Sequence, residues 1–275
     1  MALEHRPMLT QNEKGLIFRA LHERKGAFII PNLWDAGSAH LLARPGFEAL
    51  ATTSAGFAFS LGKRDYAVDR EAMIAHVSAI AAAVDVPVSG DLENGFGDSP
   101  EAAAETIRYA AAAGLVGGSI EDATGRDGDP IYAFDHAVER VSAAVEAARA
   151  LPFPFTLTAR AENYLHGRAD LDDTIRRLQA FEKAGADVLY APGLSRMEEI
   201  AAVVRAVTRP VNVLATAQFD LAALSKIGVK RVSVGSALAR AAYGGFLRAV
   251  EEMRTQGTFR FAEEAISYRE LSGMF

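Results

Sequence analysis

The chain of 275 residues contains no cysteine. Disulfides, thiolate metal sites and any thiol acting as nucleophile or acid are therefore excluded. That composition fits a reducing cytoplasm, the compartment expected here. No run of about 20 apolar residues offers a membrane span. Met1 to Lys14, with Glu4, Arg6, Glu13 and Lys14, lacks the apolar centre of a signal peptide. Lysine and arginine form no dense cluster and the net charge is -6, so neither nucleic acid nor an anionic membrane is an expected partner. No Gly-x-Gly-x-x-Gly or Walker pattern opens a helix, and no Ser–His–Asp set sits at a nucleophile elbow. The histidines (His5, His22, His40, His76, His136 and His166) are scattered, mostly along predicted helices, and form no metal-binding cluster.

What is present is an apolar half, 50% of the residues, patterned into short runs separated by longer amphipathic segments. The runs Phe28–Asn32, Ala49–Thr53, Val86–Asp91, Gly117–Glu121, Phe155–Arg160, Val188–Ala191, Val211–Leu214 and Arg231–Val234 read as strands. They lack strict alternation, as strands covered on both faces do. Between them lie helices from Asp69 to Ala83, from Ser99–Pro100 to near Gly114, and over His136–Ala150, Leu171–Ala184, Ser195–Val207 and Phe219–Lys226. Several are closed by Gly or Pro. Eight strands alternating with helices predict an α/β fold, a (β/α)8 barrel of the TIM type, as one domain over residues 1–275. A long helix over Ala237–Thr255 and a second over Phe261–Leu271 follow the last strand. The latter belongs to a C-terminal helical extension, residues 257–275, that either packs outside the barrel or reaches another subunit.

Asp65, Asp91, Glu93, Glu121 and Arg160 each follow a short apolar run. Parallel strands bring such ends to one mouth, and carboxylates crowded there call for a cation. Asp91 and Glu93, two apart in an extended segment, point the same way and could address one hydrated ion; as turn residues they could also simply be solvated. Glu121-Asp122 repeats the acidic strand end. Oxygen-only donors favour Mg²⁺ over zinc. The small residues of Thr52-Thr53-Ser54-Ala55-Gly56-Phe57 would let backbone N–H groups approach a substrate oxyanion, or else make a tight strand exit. Arg160 offers a fork for a substrate carboxylate, or pairs structurally with Glu121 or Glu162.

Five segments together resemble the isocitrate lyase/phosphoenolpyruvate mutase superfamily: Pro31-Asn32-Leu33-Trp34-Asp35-Ala36-Gly37-Ser38-Ala39; Thr53-Ser54-Ala55-Gly56 with Leu61-Gly62-Lys63-Arg64-Asp65; Asp91-Leu92-Glu93-Asn94-Gly95-Phe96-Gly97; Ile120-Glu121-Asp122; and Thr158-Ala159-Arg160. The resemblance implies a barrel that binds Mg²⁺, with Mn²⁺ as an alternative, and a small 2-oxo or 2-hydroxy acid. It implies Asp91 as the direct metal ligand, with Asp65, Glu93 and Glu121 holding the ion's waters. Ser54, Ala55 and Gly56 would bind the substrate's carboxylate and enolate oxygens. Arg160 would bind substrate, and Arg160, Asp65 and Glu121 are the expected catalytic residues. A homo-oligomer, dimer or tetramer, with exchanged terminal helices is also implied.

The departures narrow the activity. The lyase lid of this superfamily carries a cysteine acid, whereas here the stretch reads Asp122-Ala123-Thr124-Gly125-Arg126-Asp127-Gly128-Asp129-Pro130. Isocitrate and methylisocitrate cleavage are thereby disfavoured. The chain looks closest to a group carrying Asn163-Tyr164-Leu165 and Tyr190-Ala191-Pro192-Gly193-Leu194. A Mg²⁺-dependent C–C lyase acting on a small di-acid is the expected function. Asp127, Asp129 or Tyr190 would carry the proton. Carbon–phosphorus chemistry, with Arg126 holding a phosphoryl group, and a non-catalytic 2-oxo-acid-binding protein are the alternatives.

Overall fold

The computed structural model describes residues 8–275, leaving Glu4, His5 and Arg6 of the N-terminal stretch outside the described residues. Nine parallel strands form one sheet: β1 (Phe28–Ile30), β2 (Asn32–Leu33), β3 (Leu50–Thr52), β4 (Val88–Asp91), β5 (Gly117–Glu121), β6 (Thr156–Arg160), β7 (Val188–Tyr190), β8 (Val211–Leu214) and β9 (Arg231–Ser233). Their order is β1-β9-β8-β7-β6-β5-β4-β3-β2, a nearly closed TIM-type barrel. The first predicted strand is two strands, because Pro31 interrupts it. Proline has no N–H to donate, so β1 pairs with β9 while β2 pairs with β3. The Pro31 carbonyl still accepts from Ala51 N at 3.0 Å, which keeps the two halves in one stave.

Helices surround the sheet: α1 (Gln11–Glu23), α2 (Ala36–Ala43), α3 (Ser54–Ser60), α4 (Arg70–Ala83), α5 (Pro100–Ala112), α6 (Phe134–Arg149), α7 (Leu171–Ala184), α8 (Met197–Ala206), α9 (Leu221–Lys226) and α10 (Ala237–Gln256). The main core lies between strands and helices. A smaller cluster of Phe18, Leu21, Phe28, Ile30, Ala49 and Val116 packs α1 across the strands' N-terminal ends. Fully buried Phe18 anchors it, and Phe18→Ala would cost about 3–5 kcal/mol. Among the described residues, the opposite end of the strands carries no such plug.

The predicted helix over Phe261–Leu271 is corrected. The chain instead makes a 3₁₀ turn, Arg260–Glu263, and then α11 (Tyr268–Ser272). Ser267 restarts the helix by accepting from Glu270 N at 3.2 Å. The Glu252 carboxylate ties down the preceding turn through Thr258 Oγ1 and the amides of Arg260 and Phe261. The terminus folds back on α2, with the Phe275 ring edge-on to His40 at 6.2 Å. No helix among the described residues is long and apolar enough to cross a membrane.

Candidate active site

Asp91, Glu121 and Arg160 are the last residues of adjacent strands β4, β5 and β6, and Glu121 is in register with Arg160. They open onto a cavity of about 300 Å³ at the strands' C-terminal end. Asp65, Ser54, Ala55 and Tyr190 line it as well. Gly56 and Glu93 do not.

Arg160 is surrounded by acids. Its Nε donates to Glu162 Oε1 at 2.8 Å, one terminal nitrogen lies 2.7 Å from Asp91 Oδ1, and the other lies 3.2 Å from Glu121 Oε2. Burial opposes its charge, yet Glu162, Glu121 and Asp91 hold its pKa well above the ordinary value. Both structural pairings open from the sequence, with Glu121 and with Glu162, are thus present, and Asp91 adds a third. The Asp91 carboxylate is further fixed by Ser54, whose N–H and hydroxyl donate to Oδ2 at 3.0 and 3.1 Å.

Asp65 lines the cavity as expected but reaches it from the loop after α3; the expectation that it closes an apolar strand is corrected, because the run before it is the end of a helix. Asp65 keeps an exposed face, yet partial desolvation, and then the charge of Asp91, push its carboxyl upward. The next residue, Tyr66, holds a left-handed backbone at φ 61° and donates its hydroxyl to Glu121. Sequence reasoning missed Tyr66; its phenol stands between the central cavity and a neighbouring cleft.

Glu93 faces that cleft, with φ 49° at the turn leaving β4. Its Oε1 is buried and has no hydrogen-bond partner among the described residues. Burial, and then the charges of Asp91 and Asp65, push its pKa up to about 8. Glu121 is raised as well, chiefly by burial and against the pull of Arg160. The turn itself is fixed from behind: Arg140 of α6 donates to the Gly97 and Ser99 carbonyls at 2.7 and 3.1 Å, and Thr106 of α5 to Gly95 O at 2.8 Å. Asp122, paired with Glu121 in the sequence, points away from the cavity. It accepts from Glu162 N at 2.8 Å and from Arg177 at 3.1 Å, and so braces the barrel from outside.

The segment Ser54-Ala55-Gly56 opens α3 and is not a loop. Thr53 caps it, accepting from Gly56 N at 3.3 Å. A Cβ on Gly56 would lie 2.6 Å from Thr53 Cγ2 and 2.9 Å from Trp34 Cβ, so the glycine serves close packing. The lid stretch is a pinned hairpin. Ala123 bridges Ile131, and Arg126 grips both Asp98 oxygens at 2.8 and 2.9 Å. Arg126, Asp127 and Asp129 are absent from the cavity wall. Tyr190 lines that wall under the Arg160 guanidinium, 5.2 Å from the ring centre, and its phenol is pushed up to about 12 chiefly by burial. Asn163 secures the following loop through the Arg168 and Asp170 carbonyls and Thr174, all within 3.1 Å. The subgroup motif thus shapes the wall, to which Leu165 and Pro192 contribute.

Among the described residues, no three His, Asp or Glu side chains stand close enough to cage one ion directly. The donor set nevertheless fits a hydrated, oxygen-loving cation, which needs only one or two direct carboxylates and keeps its waters. The buried, unpartnered Glu93 oxygen and the surplus of Asp65, Asp91, Glu93, Glu121 and Glu162 over one arginine mark where positive charge is wanted. Asp91 would touch the ion, and Asp65, Glu93 and Glu121 would hold its waters.

Acidic side chains and a half-buried arginine around one central cavity, at the C-terminal mouth of a parallel barrel, define an enzyme-type α/β barrel. The chain belongs to the phosphoenolpyruvate phosphomutase family, whose sequence profile matches residues 18–254, within the isocitrate lyase/phosphoenolpyruvate mutase superfamily. A solved structure from Burkholderia cenocepacia J2315, provisionally titled a lyase/mutase, is 64% identical, with a TM-score of 0.93 over 96% of this chain and 95% of that one. An uncharacterized Mycobacterium tuberculosis protein is 34% identical over 80% of this chain and 81% of its own length. The oxaloacetate decarboxylase of Paraburkholderia xenovorans is 31% identical over 80% and 74%. Curated relatives named for an activity include 2-methylisocitrate lyases and a 2,3-dimethylmalate lyase besides that decarboxylase.

Proposed function

We propose that the protein is a Mg²⁺-dependent lyase that cleaves a C–C bond of a small 2-oxo or 2-hydroxy di-acid, by decarboxylation or a retro-aldol step, through an enolate. The observation that carries this reading is the excess of buried carboxylate over Arg160 around Asp91, with one Glu93 oxygen left unpartnered. When bound, Mg²⁺, or Mn²⁺ in its place, supplies a Lewis acid for the developing enolate oxygen. Asp91 binds the ion, and Asp65, Glu93 and Glu121 orient its waters. Ser54 holds Asp91 in place, and Ala55 lines the cavity, where its N–H would serve a substrate oxygen. Arg160 is held by the same acids that would serve the ion, and with the ion bound its guanidinium would be available to a substrate carboxylate.

Decarboxylation of a 2-oxo di-acid needs no lid acid before the bond breaks: carbon dioxide leaves and the enolate takes a proton afterwards. Tyr190 or Tyr66 is placed to deliver it, and the loop acids Asp127 and Asp129 are not. Carbon–phosphorus cleavage ranks lower, because Arg126 is committed to Asp98 and lies off the cavity. An apolar strip on α10, with Phe246 and Leu247 more than 60% exposed beside Phe59, supports a homo-oligomer, dimer or tetramer. The test is turnover of a panel of 2-oxo and 2-hydroxy di-acids and phosphonopyruvate, with Mg²⁺ or with EDTA. Metal-dependent release of carbon dioxide, or of a 2-oxo acid from a 2-hydroxy di-acid, is expected. Phosphate release alone, or no turnover of any member, contradicts the proposal.

A further inference from the structure

A second arginine lines the same cavity under opposite conditions. Arg231, at the start of β9, is 5% exposed and has no carboxylate partner among the described residues. Its Nε donates to Asn212 Oδ1 at 2.9 Å, one terminal nitrogen donates to Thr158 Oγ1 at 2.9 Å, and the other lies 3.4 Å from His22 Nε2. All three acceptors are neutral. The Asn212 amide is oriented by donating to Ser233 Oγ at 2.9 Å, so its oxygen must face Arg231. His22 Nδ1 lies 2.8 Å from the Phe18 carbonyl and donates there, leaving Nε2 as a neutral acceptor. A guanidinium has five N–H groups, so these three contacts leave about two without a protein acceptor.

A buried cation without a counter-charge is unfavourable unless an anion completes it. Among the described residues, no carboxylate of the cavity wall pairs with Arg231: Asp91, Glu121 and Glu162 hold Arg160, and Asp65 forms no ion pair with Arg231. Asn32, Asn212 and Ser233 add polar groups to the surrounding wall.

We propose that Arg231, with Asn212 and Ser233 beside it, forms a second anion subsite at the floor of the cavity that takes the far carboxylate of a two-ended acid. The metal and Arg160 serve the reacting end, and Arg231 selects substrates with a negative charge at the other. This rests on the lyase reading of the mouth and names the feature its substrate must carry.

Equilibrium binding separates the two ideas, because it needs no turnover. With saturating Mg²⁺, malonate and succinate are compared by calorimetry with their half-amides, malonamate and succinamate, and with phosphonoacetate. At least one dicarboxylate should bind the unsubstituted protein about 10-fold or more tightly than its half-amide, the scale of a charge-assisted hydrogen bond. R231Q should bring that ratio to about one and leave half-amide affinity within about twofold, whereas R231K should retain part of it. In the unsubstituted protein the dicarboxylate should also move the His22 imidazole resonance, and the half-amide should not. That measurement decides the matter even if R231Q fails to fold. Equal affinities for dicarboxylate and half-amide, a ratio unchanged in R231Q, or an indifferent His22 signal overturns the proposal. Preference for phosphonoacetate with no dicarboxylate preferred overturns the carboxylate assignment. Selective binding without turnover of any di-acid keeps this subsite and removes the lyase reading.

Discussion

The mouth and the floor of the barrel each hold one arginine in the wall of the same cavity, and they handle its charge in different ways. Arg160 is bonded by Asp91, Glu121 and Glu162, with further acid beyond them, so that region is short of positive charge. Arg231 is bonded by an amide, a hydroxyl and an imidazole, so its region is short of negative charge. A ligand that brings a cation to one end and an anion to the other answers both. The contrast also shows that an arginine's role follows from its partners and not from its presence in a pocket: burial pulls the Arg231 pKa down to about 10, while its acids hold Arg160 up.

The largest expected effect comes from breaking the mouth. Asp91→Ala should lower turnover roughly a thousandfold and abolish Mg²⁺-dependent thermal stabilisation, since it removes the proposed ligand and an Arg160 partner together. A retained metal-dependent melting shift would take Asp91 out of the site.

Next is Glu93→Gln, read as stability against pH without divalent ions. Glu93 ionises near pH 8 when folded against an ordinary 4.5, so the native state keeps a proton that the unfolded chain has lost. Its contribution is therefore present below about pH 4.5 and is lost as pH rises through about 8. Glutamine should flatten that decline and, near pH 8, stabilise the metal-free protein by a few kcal/mol. Urea melts at pH 5 and pH 8 measure it; an identical pH slope in the variant counts against the buried, unpaired Glu93.

Smaller still is Gly56→Ala. The added methyl meets Thr53 and Trp34, so about 1–3 kcal/mol of stability should go. Substrate KM of the folded fraction should hold, which distinguishes packing from contact with substrate. The smallest effect is at the floor. Burial and then Arg231 hold His22 down to about 3, so R231Q should raise its pKa in an NMR titration, and an unmoved value would mean that the arginine's charge is not felt there.

Much of this contrast was half legible in the sequence. Strand ends at Asp91, Glu121 and Arg160 follow from apolar runs, and a parallel barrel then brings them together without further information. Asp65 and Tyr66 ride a loop whose path no periodicity encodes, and Tyr66 adopts a positive φ that its residue type does not announce. The pairing of Glu121 with Asp122 misled because adjacent strand residues face opposite sides: one enters the cavity and the other braces Arg177. Gly56 looked like a close approach to substrate, but tertiary packing on Trp34 uses that space instead. The terminal helix broke at Ser267, a capping residue that apolar spacing had outweighed. Arg231 did leave a signal, a charge opening an apolar strand, which gains meaning only when the strand faces a barrel interior.

The central claim is that acids gathered around Asp91 await a divalent cation, and Mg²⁺ calorimetry at pH 7 in buffers of different ionisation enthalpy tests it most directly. Glu93 is mostly protonated at that pH without metal, so binding should be one ion per chain and should expel about one proton, fewer in Glu93→Gln. A protein that takes up no Mg²⁺, or takes it up without releasing protons, contradicts the account.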